Sequence, residues 1–259
     1  MIVAGLQTDV AWEDPPANFR RAEELATRAV RAGARLVVLP EMFATGFSMD
    51  AAKVAPRGPE IRDFLAGLAR KLEVHVLGGY VEPGEPRPRN ACSLLGPDGS
   101  ERLRYHKIHP FSFAGEHLHY AAGEALPAVE VEGVRVTPVI CYDLRFPELF
   151  RAAADRTDLF VVIASWPAKR AEAWRALLLA RAIENLAFVL GVNRVGVGAG
   201  EPHSGDSTLL DPYGRVLASA SQVETFLLAE VDPGLSRRAR ESTGFLNDRR
   251  PDLYRRLGL

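Results

Sequence analysis

The hydrophobic positions along the chain follow two kinds of pattern. Short runs rich in Val, Ile and Leu predict β-strands, and longer segments whose apolar residues recur every three or four positions predict amphipathic helices. Because the two kinds of segment alternate, the sequence predicts an α/β fold. Strands are expected at residues 2–6, 36–39, 74–81, 91–95, 134–140, 159–164, 187–193 and 208–210, and helices at residues 18–32, 60–72 and 171–186.

Each predicted helix has one apolar face, which is expected to pack against a sheet. The residues expected to point inward are Ala22, Leu25, Ala26 and Ala29 in the first helix, Ile61, Phe64, Leu65 and Leu68 in the second, and Trp174, Leu177, Leu178 and Ile183 in the third.

A sequence pattern occurs twice, about half a chain apart. Val-Leu-Gly-Gly at 76–79 precedes a strand and the turn Pro-Asp-Gly at 97–99, while Val-Leu-Gly-Val at 189–192 precedes a strand and the turn Pro-Tyr-Gly at 212–214. Such turns favour a hairpin in each half. A true repeat predicts the order β–α–β–α–β–β in each half, hence two packed sheets with helices outside in one domain spanning residues 1–259. Chance similarity between strand–turn segments is the alternative.

Composition narrows the class of protein. The chain has 259 residues, with Lys+Arg 32 and Asp+Glu 33, a net charge of -1 that argues against a nucleic-acid or anionic-membrane binder. Because no apolar run is long enough for a membrane span and the N-terminus lacks a signal-peptide pattern, we expect a soluble, cytoplasmic protein. Residues 232–259 are rich in Arg and are expected to form a C-terminal arm, packed on the body or on a second subunit.

The placement of one of the two cysteines indicates chemistry. Cys141 directly follows an apolar strand and precedes Pro147, where a helix is expected to begin. A thiol at a sharp strand-to-helix turn is presented to a ligand in the same way as the nucleophile of a serine hydrolase. The alternative, a small buried hydrophobe, is our interpretation of Cys92, which lies within a strand.

A cysteine nucleophile needs an activating group, and two side chains are candidates. Glu41 follows a predicted strand that has the same position in the first half of the repeat as residues 159–166 have in the second half. The carboxyl ends of these two strands should therefore face one cleft. Lys107 is one of only four Lys against 28 Arg, and a compact ammonium can stabilise a thiolate and an oxyanion. The alternatives are a turn-capping acid and an ordinary surface lysine.

Other chemistry is disfavoured. Gly-Val-Gly-Ala-Gly at 196–200 lacks the full spacing of a dinucleotide fingerprint and opens no predicted helix, so a flexible loop is expected there. A papain-like pair between Cys141 and His106 or His203 lacks the papain-type signature around the cysteine.

Three motifs together carry a resemblance to a known family. They are Leu-Pro-Glu-Met-Phe at 39–43, Tyr-His-Lys-Ile-His at 105–109 and Ile-Cys-Tyr-Asp-Leu-Arg-Phe-Pro-Glu at 140–148. With these motifs the chain resembles the nitrilase superfamily of carbon–nitrogen hydrolases. The resemblance implies a four-layer α–β–β–α sandwich with an internal pseudo-repeat, a catalytic triad of Glu41, Lys107 and Cys141, a homodimer, and no requirement for a metal or organic cofactor.

Within that superfamily, Ala-Gly-Glu-His at 114–117 and Ser-Trp-Pro at 165–167 look most like the bacterial omega-amidases. This resemblance implies hydrolysis of the terminal amide of a small 2-oxo acid monoamide through a cysteine thioester. The supporting residues it implies are Glu116 beside the triad and the substrate, the backbone N–H of Tyr142 at the oxyanion, Trp166 in the pocket wall, and Arg145 either at a substrate carboxylate or in a structural salt bridge.

Two rival functions remain open at this point. One is another activity of the same superfamily, on N-carbamoyl amino acids, nitriles or other aliphatic amides. The other is a non-catalytic binding or scaffold protein that keeps the fold, although the Glu, Lys and Cys positions are all occupied by the residues that the chemistry needs.

Overall fold

The computed structural model describes residues 1–258, and its two six-stranded sheets pack face to face. The strands are β1 (Ile2–Gln7), β2 (Leu36–Val38), β3 (His75–Glu82), β4 (Arg89–Leu95), β5 (Glu101–His106), β6 (Val129–Val131), β7 (Val134–Ile140), β8 (Leu159–Ala164), β9 (Phe188–Asn193), β10 (Val195–Gly198), β11 (Glu201–Ser204), β12 (Ser207–Leu210), β13 (Val216–Ala220) and β14 (Thr225–Glu230).

Helices flank both sheets, and short 3₁₀ turns precede or follow several of them. The α-helices are α1 (Pro15–Arg31), α2 (Ala51–Val54), α3 (Gly58–Leu72), α4 (Glu116–His119), α5 (Pro147–Ala153), α6 (Ala171–Asn185), α7 (Pro233–Thr243) and α8 (Pro251–Arg256). Among residues 1–258, no helix combines the length and apolar character needed to cross a membrane.

The strand orders of the two sheets reproduce the predicted repeat. The first sheet runs β14-β1-β2-β3-β4-β5 and the second, read from its other edge, runs β6-β7-β8-β9-β12-β13. In both, the three strands that follow the first edge strand are parallel and the strands after them are antiparallel. The predicted α/β sandwich is therefore confirmed, and β1, β2, β3 and β4 correspond to β7, β8, β9 and β12.

The main core lies between the sheets. Val3, Leu36 and Leu77 from the first sheet and Val139 and Val161 from the second are fully buried in one apolar cluster. Because parallel strands here are covered on both faces, they are apolar along their whole length.

The outer faces of the sheets are covered by the amphipathic helices. The inward residues predicted for α1 are all buried against the first sheet, and Trp174 and Leu178 of α6 are fully buried against the second. The layers are thus helix, sheet, sheet, helix. Burying these apolar stripes stabilises the fold by about 25 cal/mol for each Å² removed from water.

Two details of the sequence prediction were wrong. Ile183 is 45% exposed, because the buried stripe of α6 runs through Trp174, Leu178 and Ala182 and places Ile183 beside it. Residues 196–200 do not form an open loop; they belong to the antiparallel hairpin of β10 and β11.

The C-terminal helix α7 packs on the body of the same chain. Arg240 donates to the carbonyl of Thr157 at 2.6 Å, and Ala239 is buried in a small cluster with Leu186 and Leu246. By contrast, α8 carries no buried residue. The single domain with an arm at residues 232–259 stays a prediction, and its last residue, 259, lies outside the described residues.

Candidate active site

Three of the predicted residues lie at the ends of three strands and point into one buried region. Glu41 follows β2, Lys107 directly follows β5, and Cys141 directly follows β7. Lys107 Nζ donates to Glu41 Oε1 at 2.9 Å, and both side chains are at most 1% exposed. Segments distant in sequence therefore meet, as expected from strands that end at one edge of each sheet.

The backbone amide of Ser165 connects the carboxylate to the sulfur. It donates to Glu41 Oε2 at 2.8 Å, and the same N–H group also lowers the pKa of the Cys141 thiol. Ser165 follows β8, which corresponds to β2 in the other half of the repeat. The two corresponding strand ends thus face one cleft, as the repeat predicts.

The backbone at Cys141 has an uncommon conformation. Its φ is 50°, in the left-handed region that β-branched and bulky residues avoid, and it begins a 3₁₀ turn over Cys141–Arg145. Such local strain persists only where the surroundings fix it, and it is concentrated at functional sites. The turn presents the sulfur at the carboxyl end of β7, and α5 begins at Pro147 as predicted.

Asp143 fixes this turn, although the sequence analysis did not single it out. Its buried carboxylate accepts from the hydroxyl of Tyr105 at 2.7 Å, from the N–H of Ile140 at 3.1 Å and from the N–H of His109 at 2.9 Å. Because Tyr105 and His109 flank Lys107, the carboxylate joins the lysine segment to the cysteine turn. Its position two residues after Cys141 was the only sequence signal.

Lys107 lies between two carboxylates. Besides Glu41, it donates to Glu116 Oε2 at 2.8 Å, and the side-chain amide of Asn90 donates to Glu41 Oε1 at 2.7 Å and to Glu116 Oε1 at 2.9 Å. The four side chains form a closed ring with two carboxylates and one ammonium. Hydrogen bonds to all three charged groups compensate for the burial of the charges, whereas Asn90 Oδ1 has no hydrogen-bond partner among the described residues.

Asn90 is a second residue that the sequence analysis missed. It is 1% exposed and lies in β4, opposite Val81 of β3. A buried polar residue beside the apolar Ala91 and Cys92 was a usable signal, but its partner 49 positions earlier in the chain depends on sheet register.

The electrostatics of the site keep the sulfur protonated at rest. Burial raises the pKa of Cys141 well above its usual value, Glu41 raises it further, and Lys107 opposes both. Burial lowers the pKa of Lys107, but Glu116 and Glu41 outweigh burial and raise it well above its usual value. The resting pair is therefore a thiol beside an ammonium.

One glycine allows β3 to approach the back of Glu41. A Cβ at Gly79 would lie 2.8 Å from Glu41 Cα and 2.8 Å from the backbone nitrogen of Met42. Real side chains do not come so close, so any larger residue at position 79 would displace the backbone that carries the carboxylate.

Cys141 opens into a cavity of about 270 Å³. Six aromatic side chains contribute to its wall, namely Trp12, Phe47, Phe111, Phe113, Tyr142 and Trp166. Glu41, Lys107 and Glu116 are not in that wall; they lie behind the sulfur, so Glu116 supports the lysine rather than lining the space open to a ligand. Trp166 lines the cavity, as the resemblance implies, and Tyr142, for which only a role of the backbone N–H was predicted, lines it as well.

Arg145 also lines the cavity. Its guanidinium lies 5.0 Å from the ring centroid of Trp166, and it forms no ion pair with any residue in the part of the chain that the structure describes. The structural salt bridge considered from the sequence is therefore not formed, and the guanidinium faces the space in front of Cys141.

Two residues that the sequence analysis disfavoured as catalytic groups, Cys92 and His203, lie in different parts of the structure. Cys92 is fully buried in the core between the sheets, where burial raises the pKa of its thiol. His203, from β11, lines the cavity, and its Nε2 lies 3.3 Å from the hydroxyl of Ser165. Burial and the charge of Arg194 lower the pKa of His203 to about 4, so its imidazole is neutral near pH 7.

Comparisons with known proteins identify the family of the chain. Residues 2–241 match the family described as carbon–nitrogen hydrolase. The chain is 39% identical over 238 residues to omega-amidase YafV of Escherichia coli (strain K12), covering 91% of each chain. It is 33% identical over 256 residues to 2-oxoglutaramate amidase of Bacillus subtilis (strain 168), covering 97% of this chain and 98% of the other.

A solved structure is similar over almost the whole length. It is XC1258 from Xanthomonas campestris, described as a CN-hydrolase superfamily protein with an arsenic adduct in the active site. The TM-score is 0.90 at 33% identity, with 96% of this chain and 97% of that chain covered.

Proposed function

The chain belongs to the carbon–nitrogen hydrolase family and is an amide-hydrolysing enzyme; from this premise we propose that it cleaves the terminal amide of a small 2-oxo acid monoamide. The observation that carries the proposal is the Glu41–Lys107–Glu116 ion group close to Cys141, which itself lines a cavity together with Arg145, a residue with no ion-pair partner among residues 1–258. The proposed products are the dicarboxylate and ammonia, and the proposed reaction uses no metal or organic cofactor.

In the first half-reaction, Glu41 takes the proton of the Cys141 thiol as the sulfur attacks the amide carbon. A base is required because burial raises the pKa of the thiol and keeps it protonated. The S–C bond forms and the carbonyl electron pair moves to oxygen. Lys107 has three N–H donors, two of which are held by Glu41 and Glu116, so one remains for the oxyanion.

The backbone N–H of Tyr142 is the second proposed oxyanion donor. As an amide in the first turn of the helical segment Cys141–Arg145, it has no acceptor within that turn. Two fixed donors aimed at the developing charge lower the barrier most in a buried site, and removing one such donor from an enzyme costs about 10²–10³ in kcat.

Collapse of the tetrahedral intermediate breaks the C–N bond, and Glu41 returns its proton to the departing nitrogen, which leaves as ammonia. The remaining acyl group is a thioester on Cys141. Water then attacks that carbon while Glu41 accepts one of its protons, the C–S bond breaks, and the same proton returns to sulfur. The product leaves as the carboxylic acid and loses its remaining proton to solvent, which gives the carboxylate. One carboxylate thus serves as base and acid in turn.

The substrate class is inferred from the relatives and from the cavity. The two curated relatives are named for omega-amide and 2-oxoglutaramate hydrolysis. Arg145 offers a planar, charged donor set suited to a carboxylate, and it has no carboxylate partner within residues 1–258. We propose that the carboxylate of the substrate binds Arg145 and that the indole of Trp166 flanks the carbon chain.

Replacement of the nucleophile is the direct test. Cys141→Ala should abolish ammonia release from 2-oxoglutaramate, while Cys92→Ala, a matched change at the other thiol, should keep turnover in the fraction that folds. Mass spectrometry of acid-quenched wild-type protein should find an acyl adduct on the Cys141 peptide. Ammonia release by Cys141→Ala, or an adduct on Cys92, would contradict the mechanism.

A substrate panel separates the activities of the superfamily. Rates of ammonia release from 2-oxoglutaramate should exceed those from N-carbamoyl amino acids, nitriles and unbranched aliphatic amides at equal concentration. Preference for an N-carbamoyl amino acid would refute the proposed substrate class but would leave the proposed catalytic roles of Glu41, Lys107 and Cys141 unaffected.

We further propose that the protein is a cytoplasmic homodimer and that the C-terminal arm contributes to its interface. The support is the resemblance to the family and the exposed apolar residues of the arm, Phe245, Tyr254 and Leu257. Sedimentation of the full chain should give twice the mass of one chain, whereas a monomer at micromolar concentration would refute the proposal.

A further inference from the structure

Three cationic side chains line the cavity in front of Cys141, and they differ in what they contact. Lys169 is paired with Glu201, since its ammonium lies 2.6 Å from Oε1 of that carboxylate. Arg145 and Arg170 form no ion pair with any residue among 1–258. The lining therefore carries one neutral pair and two uncompensated positive charges.

Arg170 is held at the cavity wall by its surroundings. Its guanidinium carbon lies 5.2 Å from the ring centroids of both Phe111 and Phe113. The rings contact the guanidinium but accept no hydrogen bond from its five N–H donors, and the structure of residues 1–258 gives these donors no acceptor. Because Arg170 is half-buried and lines the cavity, these donors are available to a ligand that enters it.

One indole links the two free arginines. Trp166 Nε1 donates to the backbone carbonyl of Arg170 at 2.9 Å, and the guanidinium of Arg145 lies over the Trp166 ring. The two residues therefore belong to one wall of the cavity, and the position of each depends on the same aromatic ring.

We propose that Arg170 is a second anion-binding residue, which binds together with Arg145 the carboxylate end of the substrate and thereby selects acid monoamides over neutral amides. This inference rests on the proposed function and assigns its specificity to a residue outside the catalytic turn. Three acceptor oxygens occur at that end of a 2-oxo acid, two on the carboxylate and one on the ketone, which is more than one guanidinium fork can bind.

The same charges act against a cationic neighbour of that carboxylate. An α-amino acid amide carries an ammonium where the 2-oxo acid carries its ketone. With Lys169 and Glu201 neutralising each other, this ammonium would meet two positive charges and no free carboxylate of the cavity wall. The site should therefore reject glutamine relative to 2-oxoglutaramate by electrostatic repulsion.

The experiment compares two amides of equal carbon number, 2-oxoglutaramate and the neutral pentanamide. Arg170→Met keeps most of the aliphatic stem and the backbone carbonyl that holds Trp166. It should lower kcat/KM for 2-oxoglutaramate about ten- to hundredfold, mainly through KM, as expected for the loss of charge-assisted hydrogen bonds. It should leave pentanamide hydrolysis within about threefold, and Arg170→Lys should restore part of the loss because the charge remains.

Lys169→Met/Glu201→Gln is the matched control, since it removes a cation of the same wall together with its carboxylate partner and leaves the net charge of the wall unchanged. It should change the ratio of the two kcat/KM values by less than about threefold. Arg145→Met and Arg145→Met/Arg170→Met complete a double-mutant cycle with Arg170→Met. The losses in kcat/KM should be non-additive, because Arg145 and Arg170 bind the same end of the substrate.

Equal losses on both amides would show that Arg170 only supports the wall, and would overturn the inference while leaving the proposed function intact. Additive losses in the cycle, or an unchanged ratio in Arg170→Met, would overturn it as well. A wild-type protein that hydrolyses pentanamide as well as 2-oxoglutaramate would instead refute the proposed substrate class, and the assigned role of Arg170 with it.

Discussion

Replacing Asp143 by Asn tests whether one buried carboxylate positions two parts of the site. Asp143 Oδ1 accepts from the N–H and from Nδ1 of His109, each at 2.9 Å, and Oδ2 accepts from Tyr105 and Ile140. An asparagine has one oxygen and one NH₂ group. Whichever way its amide turns, the NH₂ faces a backbone N–H, either that of His109 or that of Ile140.

The expected cost follows from this count. One buried donor without an acceptor costs about 1–3 kcal/mol, and the remaining bonds lose the contribution of the charge, so Asp143→Asn should lower the free energy of unfolding by about 2–4 kcal/mol. A shift of the cysteine turn relative to Lys107 should also reduce kcat/KM, by up to about 10² if the reacting atoms move by about 1 Å.

Urea denaturation and steady-state ammonia release measure the two effects separately. Asp63→Asn, on the exposed face of α3, is the control and should change stability by less than about 0.5 kcal/mol. Wild-type stability together with wild-type kcat/KM in Asp143→Asn would refute the reasoning. A loss of stability with unchanged kcat/KM in the folded fraction would show that Asp143 supports the fold but does not position the site.

Two further predictions concern His203 and Gly79. Burial and Arg194 hold the pKa of His203 at about 4 against about 6.5 unfolded, so between these pH values the unfolded state binds more protons and stability falls as pH falls. Between pH 7 and pH 4.5 the free energy of unfolding, measured by urea titration, should therefore fall by about 2 kcal/mol less in His203→Gln than in the wild type. An equal fall in the variant and the wild type would contradict this. Gly79→Ala, whose Cβ would lie 2.8 Å from Glu41 Cα, should destabilise the protein by about 1–3 kcal/mol and lower kcat/KM. Gly67→Ala, where a Cβ meets nothing within 4 Å, should stabilise α3 by about 0.5–1 kcal/mol, and equal effects of the two changes would refute the close-approach argument.

The periodic pattern of the sequence was sufficient for most of the architecture. The predicted strand 134–140 has the bounds of β7, and the predicted repeat appears as the same strand order in both sheets. Hydrophobic periodicity reports which face of an element is buried, and two copies of one pattern constrain each other. Hydrophobic periodicity does not define how wide the buried face of a helix is. For this reason Ile183 was predicted to point inward, although it is 45% exposed.

Hydrogen-bond partners that lie on different strands could not be predicted from the sequence. Asn90 reaches Glu41 only because β4 pairs with β3 in one register, and a shift by one residue would turn its side chain to the other face. Arg170 was hidden for a different reason. In a chain with 28 Arg, a guanidinium without an acidic partner can be recognised only when its neighbours in space are known.

The repeat also accounts for the location of the site. Because β2 and β8 correspond, Glu41 and Ser165 follow equivalent strands, and the amide of one half donates to the carboxylate of the other. The strand that corresponds to β7 is β1, and the buried residues that end and follow it are Gln7 and Thr8, neither of which carries a thiol. A duplicated framework thus provides two equivalent strand ends, and the placement of a cysteine after only one of them makes the pair asymmetric. In the proposed mechanism the carboxylate from the first half acts on a sulfur from the second, so neither half would contain the chemistry by itself.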